Sequence, residues 1–211
     1  MIKNLLFDLG GVIMDIDKER CVKAFEELGL PDAANYFGEY CQKEPFSTLE
    51  SGHLTIKEFH ETVQSLIPVP VTNAQIDAAF DKFLIGIPVK RLEQLRELRK
   101  RYNLYLLSNT NPIMWKGFIA GEFSKEGLSM RDYFDGMTTS FDAKSLKPDA
   151  KIFEYASRTM EINPEETLFL DDSKANCEAA RALGWHAAHV APGCEFSDII
   201  TQYISSCNAD K

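Results

Sequence analysis

The stretch Ile2-Lys3-Asn4-Leu5-Leu6-Phe7-Asp8-Leu9-Gly10-Gly11-Val12-Ile13 decides the fold. A short apolar run reaches a single carboxylate, Asp8, and two glycines follow one residue later. An apolar run of this length that ends near glycine is typical of a strand buried on both faces of a parallel sheet. Ligands of such sheets bind at the carboxyl ends of the strands, where Asp8 is expected to lie. Taken alone, Asp8 would more simply be a turn or helix-cap residue.

Composition limits the classes of function. A chain of 211 residues is long enough for one large domain, or for a core domain with a small insert. A net charge of −9 opposes nucleic-acid binding, and it means that a phosphorylated substrate must be held by a local cation or lysine. We find neither a stretch of roughly 18–20 apolar residues nor a secretory signal, so no membrane partner is expected. The five scattered cysteines favour reduced thiols and a cytoplasmic location.

A block of about 70 residues after the first strand is predicted to be helical, with no strand in it. Apolar residues recur at helical spacing over 20–30 and 32–44. Two capping boxes, Thr55 with Glu58 and Thr72 with Gln75, then predict the starts of two more helices. We therefore predict a helical insert over 15–87.

The pattern changes at Pro88, where helices and short apolar strands begin to alternate. Strands are predicted at 104–107, 137–139, 167–170 and 185–190, and a final helix at 196–204. Strands that alternate with helices form a doubly wound parallel sheet with helices on both faces. The predicted class is therefore α/β, with a core formed by 1–14 and 88–211.

Polar groups follow four of the strands or the loops after them, and in a parallel sheet they share one edge. These groups are Asp8, the pair Ser108-Asn109, Lys147 and the pair Asp171-Asp172. Each has a simpler structural interpretation: Ser108 and Asp171 could cap helices, and Lys147 could be a surface lysine. Together they supply what phosphoryl transfer needs, which is a carboxylate nucleophile, a second carboxylate for a divalent cation, a hydroxyl and an ammonium group.

The order and spacing of these groups resemble the haloacid dehalogenase-like hydrolase superfamily over nearly the whole chain. The motifs that carry the resemblance lie at 7–13, 106–110, 147–149 and 169–173, with Asn176 shortly beyond the last. The insert falls where that family places its small helical cap. The resemblance implies a Rossmann-like parallel sheet core with an inserted helical cap domain over 15–87.

The same resemblance assigns the metal site. It implies that Asp8 is the nucleophile and becomes an aspartyl-phosphate. It also implies that Asp8, the backbone carbonyl of Gly10 and Asp172 hold Mg²⁺, which commonly keeps water among its ligands.

The remaining motif residues would surround the phosphoryl group. By the resemblance, Ser108 and Asn109 bind its oxygens, and Lys147 neutralises charge between nucleophile and phosphate. Asp171 and Asn176 are expected to support the metal ligands from behind rather than to bind the ion directly.

The chain departs from the family pattern at Gly10. Most phosphatases of the family carry a second aspartate at this position, which acts as general acid and base. A subgroup similar to bacterial phosphatases of glucose 1-phosphate shares the glycine, and an anomeric phosphate leaves more easily than a plain alkyl phosphate. Asp15 and Asp17, at the root of the insert, are either replacement acids or ordinary solvated carboxylates.

Three functions stay open at this point. The first is a Mg²⁺-dependent phosphatase of small phosphorylated metabolites, with sugar phosphates as a candidate class. The second is a metal-free 2-haloacid dehalogenase, although Arg20 is the only arginine near the first motif and Asp171-Asp172 would then have no metal to bind. The third is a catalytically impaired phosphate-binding relative. The four histidines show no metal-ligand spacing and are expected to be structural. Neither the natural substrate nor the oligomeric state can be read from the sequence.

Overall fold

The computed structural model describes residues 1–38 and 42–209. The strands are β1 (Asn4–Phe7), β2 (Asp15–Ile16), β3 (Leu84–Gly86), β4 (Asn103–Ser108), β5 (Gly136–Thr139), β6 (Thr167–Asp171) and β7 (His186–His189). Five of them form one sheet in the order β5-β4-β1-β6-β7, and every neighbouring pair in it is parallel. The predicted parallel sheet is confirmed, and its first strand lies at the centre.

The helices lie between these strands along the chain. They are α1 (Lys18–Leu28), α2 (Phe46–Glu50), α3 (Ile56–Leu66), α4 (Asn73–Asp81), α5 (Val89–Arg99), α6 (Pro112–Met114), α7 (Ala120–Phe123), α8 (Met130–Tyr133), α9 (Ser140–Ala143), α10 (Ala150–Met160), α11 (Lys174–Ala182) and α12 (Phe196–Ala209). A π-helical turn, Trp115–Ile119, joins α6 to α7. Among the described residues, no helix combines the length and the apolar character that crossing a lipid bilayer requires.

Strand β1 is buried on both faces, as its continuous apolar pattern predicts. Leu6 belongs to one apolar cluster, with Phe153 of α10 and Cys177 of α11. Phe7 belongs to the other cluster, where its ring meets that of Phe196 at a centroid distance of 5.3 Å. Because successive side chains of a strand point to opposite faces, one short strand supplies both halves of the core. The sheet is therefore covered on both sides, as in a doubly wound fold.

The segment between β1 and α5 holds α1 to α4 together with a small antiparallel sheet of β2 and β3. The prediction that this segment has no strand is wrong. Strands of two and three residues are too short to show a periodic pattern of apolar residues. They also lie at the two ends of the insert, so the segment between them does not reveal their pairing. Both predicted capping boxes are present, at Thr55 and Thr72. The boundaries 15–87 for the insert remain a prediction.

The predicted helix over 32–44 is not formed in the described part of that range. The chain makes a short 3₁₀ helix, Ala33–Tyr36, and Phe37 then forms a bridge with Gln42. The helical spacing of the aromatic residues had a different cause, because Phe37 packs against Phe46 with ring centroids 4.6 Å apart. Helix α2 follows, and the sequence analysis had not predicted it. Residues 39–41 lie outside the described residues.

Candidate active site

The carboxyl ends of β1 and β6 bring three carboxylates together. Asp8 follows β1, Asp171 ends β6, and Asp172 is the next residue along the chain. The two strands are neighbours, and the amide of Asp8 donates a hydrogen bond of 2.8 Å to the carbonyl of Leu170. One carboxylate oxygen from each of the three aspartates lies within 4.8 Å of the others. The geometric expectation that Asp8 and Asp172 meet at one edge is thus met.

Lys147 lies buried beneath this cluster, although its sequence context also allowed a surface lysine. Its Nζ is 2.7 Å from Asp8 Oδ1 and 2.7 Å from Asp171 Oδ2, and it donates a third hydrogen bond of 3.0 Å to the carbonyl of Leu107. An ammonium group has three donors, so all of them are used. Burial acts to lower the pKa of Lys147, but Asp171 and Asp8 outweigh it and raise that pKa. The ammonium charge is therefore fixed in place.

The cluster carries more negative charge than Lys147 can neutralise. Burial raises the pKa of Asp8, with Asp171 and Asp172 adding to the rise while Lys147 opposes it. Burial, followed by the charge of Asp171, raises the pKa of Asp172 to about 6. Carboxylates that repel one another in this way are relieved by a hard divalent cation, which prefers oxygen ligands. The donor set therefore fits a Mg²⁺ ion between Asp8 and Asp172.

The two glycines after Asp8 differ in what the structure demands of them. Gly11 has a positive φ of 73°, and a Cβ there would lie 2.2 Å from Asp172 Oδ2. Only glycine lets the backbone approach Asp172 so closely. At Gly10, a Cβ would meet the Ile16 side chain at 3.4 Å, which is ordinary contact. The missing general acid at Gly10 is thus not explained by a lack of space for its Cβ.

Asp171 and Asn176 lie behind the cluster. Asp171 is fully buried, and its Oδ1 accepts hydrogen bonds of 2.8 Å from the amide of Ser173 and 2.9 Å from Nδ2 of Asn176. Its Oδ2 faces Lys147. Both oxygens are therefore occupied by the protein, which agrees with a supporting role that orients Lys147.

Ser108 ends β4, which lies on the other side of β1 from β6, and Asn109 is the next residue. Ser108 is 2% exposed and lines the cavity above Asp8. The side-chain amide of Asn109 is bound to the main chain of Lys147 at both ends, donating to its carbonyl at 3.0 Å and accepting from its amide at 2.9 Å. The side chain of Asn109 thus positions Lys147, and because an amide nitrogen carries two hydrogens, its second donor is left for phosphate. That Asn109 binds phosphate stays a prediction.

The cavity at this edge has a volume of about 100 Å³ and lies between the sheet and the insert. The residues that line it from the insert are Ile16, Gln42, Glu50, Phe80, Phe83 and Leu84. Sequence reasoning did not find Gln42 and Glu50. Glu50 ends a helix that was not predicted, and isolated polar residues in helical segments look like ordinary surface residues.

Other expectations about polar residues are corrected by their contacts. Asp15 Oδ1 pairs with Arg91 at 2.7 Å, and the carboxylate of Asp17 accepts from the amides at the start of α1. Neither aspartate is among the residues that line the cavity. His189, which was expected to be structural, has its Nε2 2.8 Å from the main-chain carbonyl of Asp172. The acid that would replace the missing aspartate is thus neither Asp15 nor Asp17.

The chain was compared with known proteins. The protein-family model of the haloacid dehalogenase-like hydrolases matches residues 2–184 of this chain. D-ribitol-5-phosphate phosphatase of Bacteroides thetaiotaomicron is 35% identical over 206 residues, which are 98% of this chain and 100% of that protein. A HAD family enzyme from the same organism, an aspartate-to-alanine mutant in complex with magnesium and inorganic phosphate, superposes with a TM-score of 0.90 at 36% identity. The superposition covers 95% of this chain and 99% of that one.

A further solved structure agrees with this assignment. A predicted HAD-like family hydrolase from Porphyromonas gingivalis has a TM-score of 0.89 and 32% identity, with 97% of this chain and 98% of that one covered. The matches span the sheet edge and the insert alike, so they concern the whole fold and not one motif. The chain therefore belongs to the haloacid dehalogenase-like hydrolases.

Proposed function

We propose that this protein is a Mg²⁺-dependent phosphatase that hydrolyses small phosphorylated metabolites, sugar and sugar-alcohol phosphates in particular. The observation that carries the proposal is the pairing of Asp8 with a buried, fully bonded Lys147 beside Asp172, at the floor of a small cavity. A nucleophile, a fixed positive charge and a pair of cation ligands in one place are the requirements of phosphoryl transfer.

The reaction would proceed in two steps through Asp8. A carboxylate oxygen of Asp8 forms a bond to phosphorus while the bond from phosphorus to the alcohol oxygen breaks, and the alcohol oxygen takes a proton from solvent water. A water molecule then attacks the phosphorus of the aspartyl-phosphate and gives a proton to solvent, which restores the carboxylate of Asp8 and releases inorganic phosphate. The ammonium group of Lys147 stays beside Asp8 during both steps, because the contacts of its three donors keep it in position.

Other residues would bind the phosphoryl group and the metal. Ser108 offers its hydroxyl, and Asn109 its main-chain amide, to phosphoryl oxygens. Asp8, the carbonyl of Gly10 and Asp172 would hold Mg²⁺. When bound, the ion supplies positive charge that offsets the charge on the transferring group.

The relatives support both the cofactor and the substrate class. One is named for D-ribitol 5-phosphate, and one solved structure contains magnesium and inorganic phosphate. Both match this chain over more than nine tenths of its length. A phosphate ester of a small polyol is also consistent with a cavity of about 100 Å³. We place the reaction in the cytoplasm, which agrees with four free cysteines among the described residues.

The dehalogenase alternative is disfavoured by the cavity lining. A 2-haloacid needs a cation for its carboxylate, but Lys147 is the only cationic residue found among the described residues of the lining, and it already pairs with two aspartates. Arg20, the arginine considered for this role, is exposed on α1 and is not among the lining residues.

The proposal is tested by removing and restoring the metal. We expect phosphate release from a panel of phosphorylated metabolites to disappear in EDTA and to return when excess Mg²⁺ is added. Halide release from 2-chloropropionate is measured beside it and should stay at background. Beryllium fluoride should inhibit the Mg²⁺-loaded enzyme as an analogue of the aspartyl-phosphate. Halide release that persists in EDTA, or the absence of turnover on every phosphate ester, would contradict the proposal.

A further inference from the structure

The insert contributes two polar side chains to the cavity, and the mechanism above uses neither of them. Gln42 and Glu50 line the cavity together with apolar residues of the same insert. The reacting groups, by contrast, all come from the sheet edge. Polar groups on the far wall from the reacting groups are placed to contact the leaving alcohol and not the phosphate.

Glu50 is anchored on the core at the base of the insert. It is the last residue of α2, and its main-chain carbonyl accepts a hydrogen bond of 2.6 Å from the buried hydroxyl of Ser140. Nearby, Lys144 donates to the carbonyl of Gly52. These two contacts join the end of α2 to α9 of the core. The backbone that carries Glu50 to the cavity is therefore held by both parts of the molecule.

Gln42 has an unused acceptor. Its Oε1 is buried and has no hydrogen-bond partner among the described residues. A buried amide oxygen without a donor is costly, so such groups are normally satisfied by a protein group, by water or by a ligand. A hydroxyl group of a bound substrate would supply the donor. Gln42 is itself one of the residues that line the cavity.

Both groups are uncharged at neutral pH. Burial raises the pKa of Glu50 to about 8, so its carboxyl group keeps its proton and can both donate and accept a hydrogen bond. An amide has the same double capacity. Lys147 is the only cation in the described lining, and its donors are occupied. The insert side of the cavity therefore suits hydroxyl groups, and it offers nothing to a second anionic group.

Proton transfer to the leaving group is the other role that Glu50 could have. A general acid must reach the leaving oxygen, which lies next to the phosphorus that Asp8 attacks. Asp8, Asp171 and Asp172 lie at the carboxyl ends of the core strands, whereas Glu50 belongs to α2 of the insert. This placement on the insert wall favours contact of Glu50 with the alcohol part of the substrate.

We infer that Gln42 and Glu50 form a recognition site for the hydroxyl groups of the leaving alcohol, and that the enzyme selects phosphate monoesters of uncharged polyols over esters that carry a second anionic group. The inference rests on the proposed phosphatase function, because both concern the same cavity. It adds the residues that select the substrate and the chemistry by which they do so.

A matched pair of substrates tests the selection. Glycerol 3-phosphate and 3-phosphoglycerate differ at one group only, which is a hydroxymethyl group in the first and a carboxylate in the second. With Mg²⁺ present, we expect kcat/KM of the unaltered enzyme to be higher for glycerol 3-phosphate by about tenfold or more, because a second anion meets no free cation. Equal values, or a preference for 3-phosphoglycerate, would overturn the inference. Turnover of p-nitrophenyl phosphate, measured in parallel, tests the phosphatase function by itself.

Variants then test the two residues. Glu50→Ala and Gln42→Ala should each raise KM for glycerol 3-phosphate by about threefold to tenfold, the value of a lost neutral hydrogen bond, and should change kcat less. Glu50→Gln keeps an uncharged donor and acceptor and should restore most of the affinity. Glu61→Ala, at an exposed glutamate of α3, is the matched control and should behave as the unaltered enzyme. Thermal melting checks that each variant is folded.

The outcomes separate the possible roles. A KM effect confined to the polyol ester, with rescue by Glu50→Gln, supports recognition. A fall in kcat for both alkyl esters that Glu50→Gln does not rescue would assign Glu50 to proton transfer and overturn the recognition role. Unchanged KM in Gln42→Ala and in both Glu50 variants would overturn it as well. If Glu50→Ala does not fold, Gln42→Ala and Glu50→Gln still decide. If the enzyme hydrolyses none of the esters, the phosphatase function itself is contradicted.

Discussion

The core wall and the insert wall of the cavity differ in how completely their polar groups are hydrogen-bonded by the protein. On the core wall, the two charged groups that support Asp8 are fully bonded: Lys147 uses all three donors, and Asp171 has both oxygens occupied. On the insert wall, Gln42 has a buried acceptor without a partner among the described residues, and Glu50 is neutral at the cavity lining. Groups that are fully bonded before substrate binds are suited to chemistry, because they need not reorganise during the reaction. Groups with spare hydrogen-bonding capacity are suited to selection.

Mutations on the two walls should differ in how strongly they lower kcat. A change on the core wall removes a group that the reaction itself needs, so its effect on kcat should be large for every substrate. A change on the insert wall removes one neutral hydrogen bond, so its effect should be small and should depend on the substrate.

Asp8→Asn is expected to have the largest effect. The variant lacks the nucleophile, so phosphate release should fall by about 10⁴-fold or more for every ester. The fold should persist, because asparagine has the same shape and Lys147 keeps its pair with Asp171. Phosphate release and urea unfolding are the measurements. Asp32→Asn is the control, since Asp32 is exposed and has a positive φ of 50° that asparagine also tolerates. Retained turnover would remove Asp8 from its assigned role.

Lys147→Met should damage both activity and stability. It leaves Asp8 and Asp171 buried with no positive partner, which typically costs about 3–5 kcal/mol of the free energy of unfolding. The loss should shrink as the pH falls, because protonation of these carboxylates removes the repulsion. Urea unfolding at several pH values measures it, with Lys151→Met at an exposed site of α10 as the control. A loss that does not change with pH would point to packing instead of charge.

Gly10→Asp probes the general acid that the core wall lacks. The structure has room for a Cβ at this position, so an aspartate should be accommodated. General acid catalysis is worth about 10²–10⁴-fold, and even a poorly placed acid should raise kcat on alkyl phosphates by about tenfold. p-Nitrophenyl phosphate, whose leaving group needs no proton, should show little change. If alkyl phosphates are not hydrolysed faster, a missing acid at Gly10 does not limit the rate.

Glu50→Gln should have the smallest effect on phosphate release, and its main effect is on how stability depends on pH. The pKa of Glu50 is about 8 in the folded protein against an ordinary value of 4.5. Between these values the unfolded chain releases a proton that the folded protein keeps, so stability falls by about 1.4 kcal/mol per pH unit. Glutamine removes this dependence. The variant should therefore match the unaltered protein below pH 4.5 and exceed it increasingly towards pH 8.

Urea unfolding at pH 5, 6 and 7 measures this difference between the two forms. Contributions from Asp8 and Asp172 are common to both and cancel. Asp81 and Cys21, which lie near Glu50 in the insert, are likewise unchanged by the substitution. A gain in stability that stays constant with pH would show that the Glu50 carboxyl is not held neutral by burial.

The sequence predicted the core wall well, for a physical reason. Asp8, Ser108 and Asp171 each end or follow a strand, and strand ends are marked locally by apolar runs and by the glycine or turn residues after them. Once the strands are parallel, their carboxyl ends must share an edge. Burial of Lys147 did not follow from its neighbours, because it depends on contacts with Asp8 and Asp171, which are far away in the chain.

The insert wall was not predictable by the same means. Strands β2 and β3 are too short to show a period, and the aromatic spacing near Phe37 suggested a helix where the rings instead pack on one another. Gln42 and Glu50 have no local pattern that marks them as facing a cavity. Their role depends on how the insert folds onto α9 of the core.

By itself the sequence determined the α/β class, the order of the strands along the chain and the charged groups at one edge of the sheet. These follow from periodicity and from residues close together in the chain. Only the tertiary structure decided that Gly11 must be glycine while Gly10 has space for a side chain, and that Glu50 faces the substrate cavity. Both depend on distances between segments that are remote in sequence, and no local pattern records such distances.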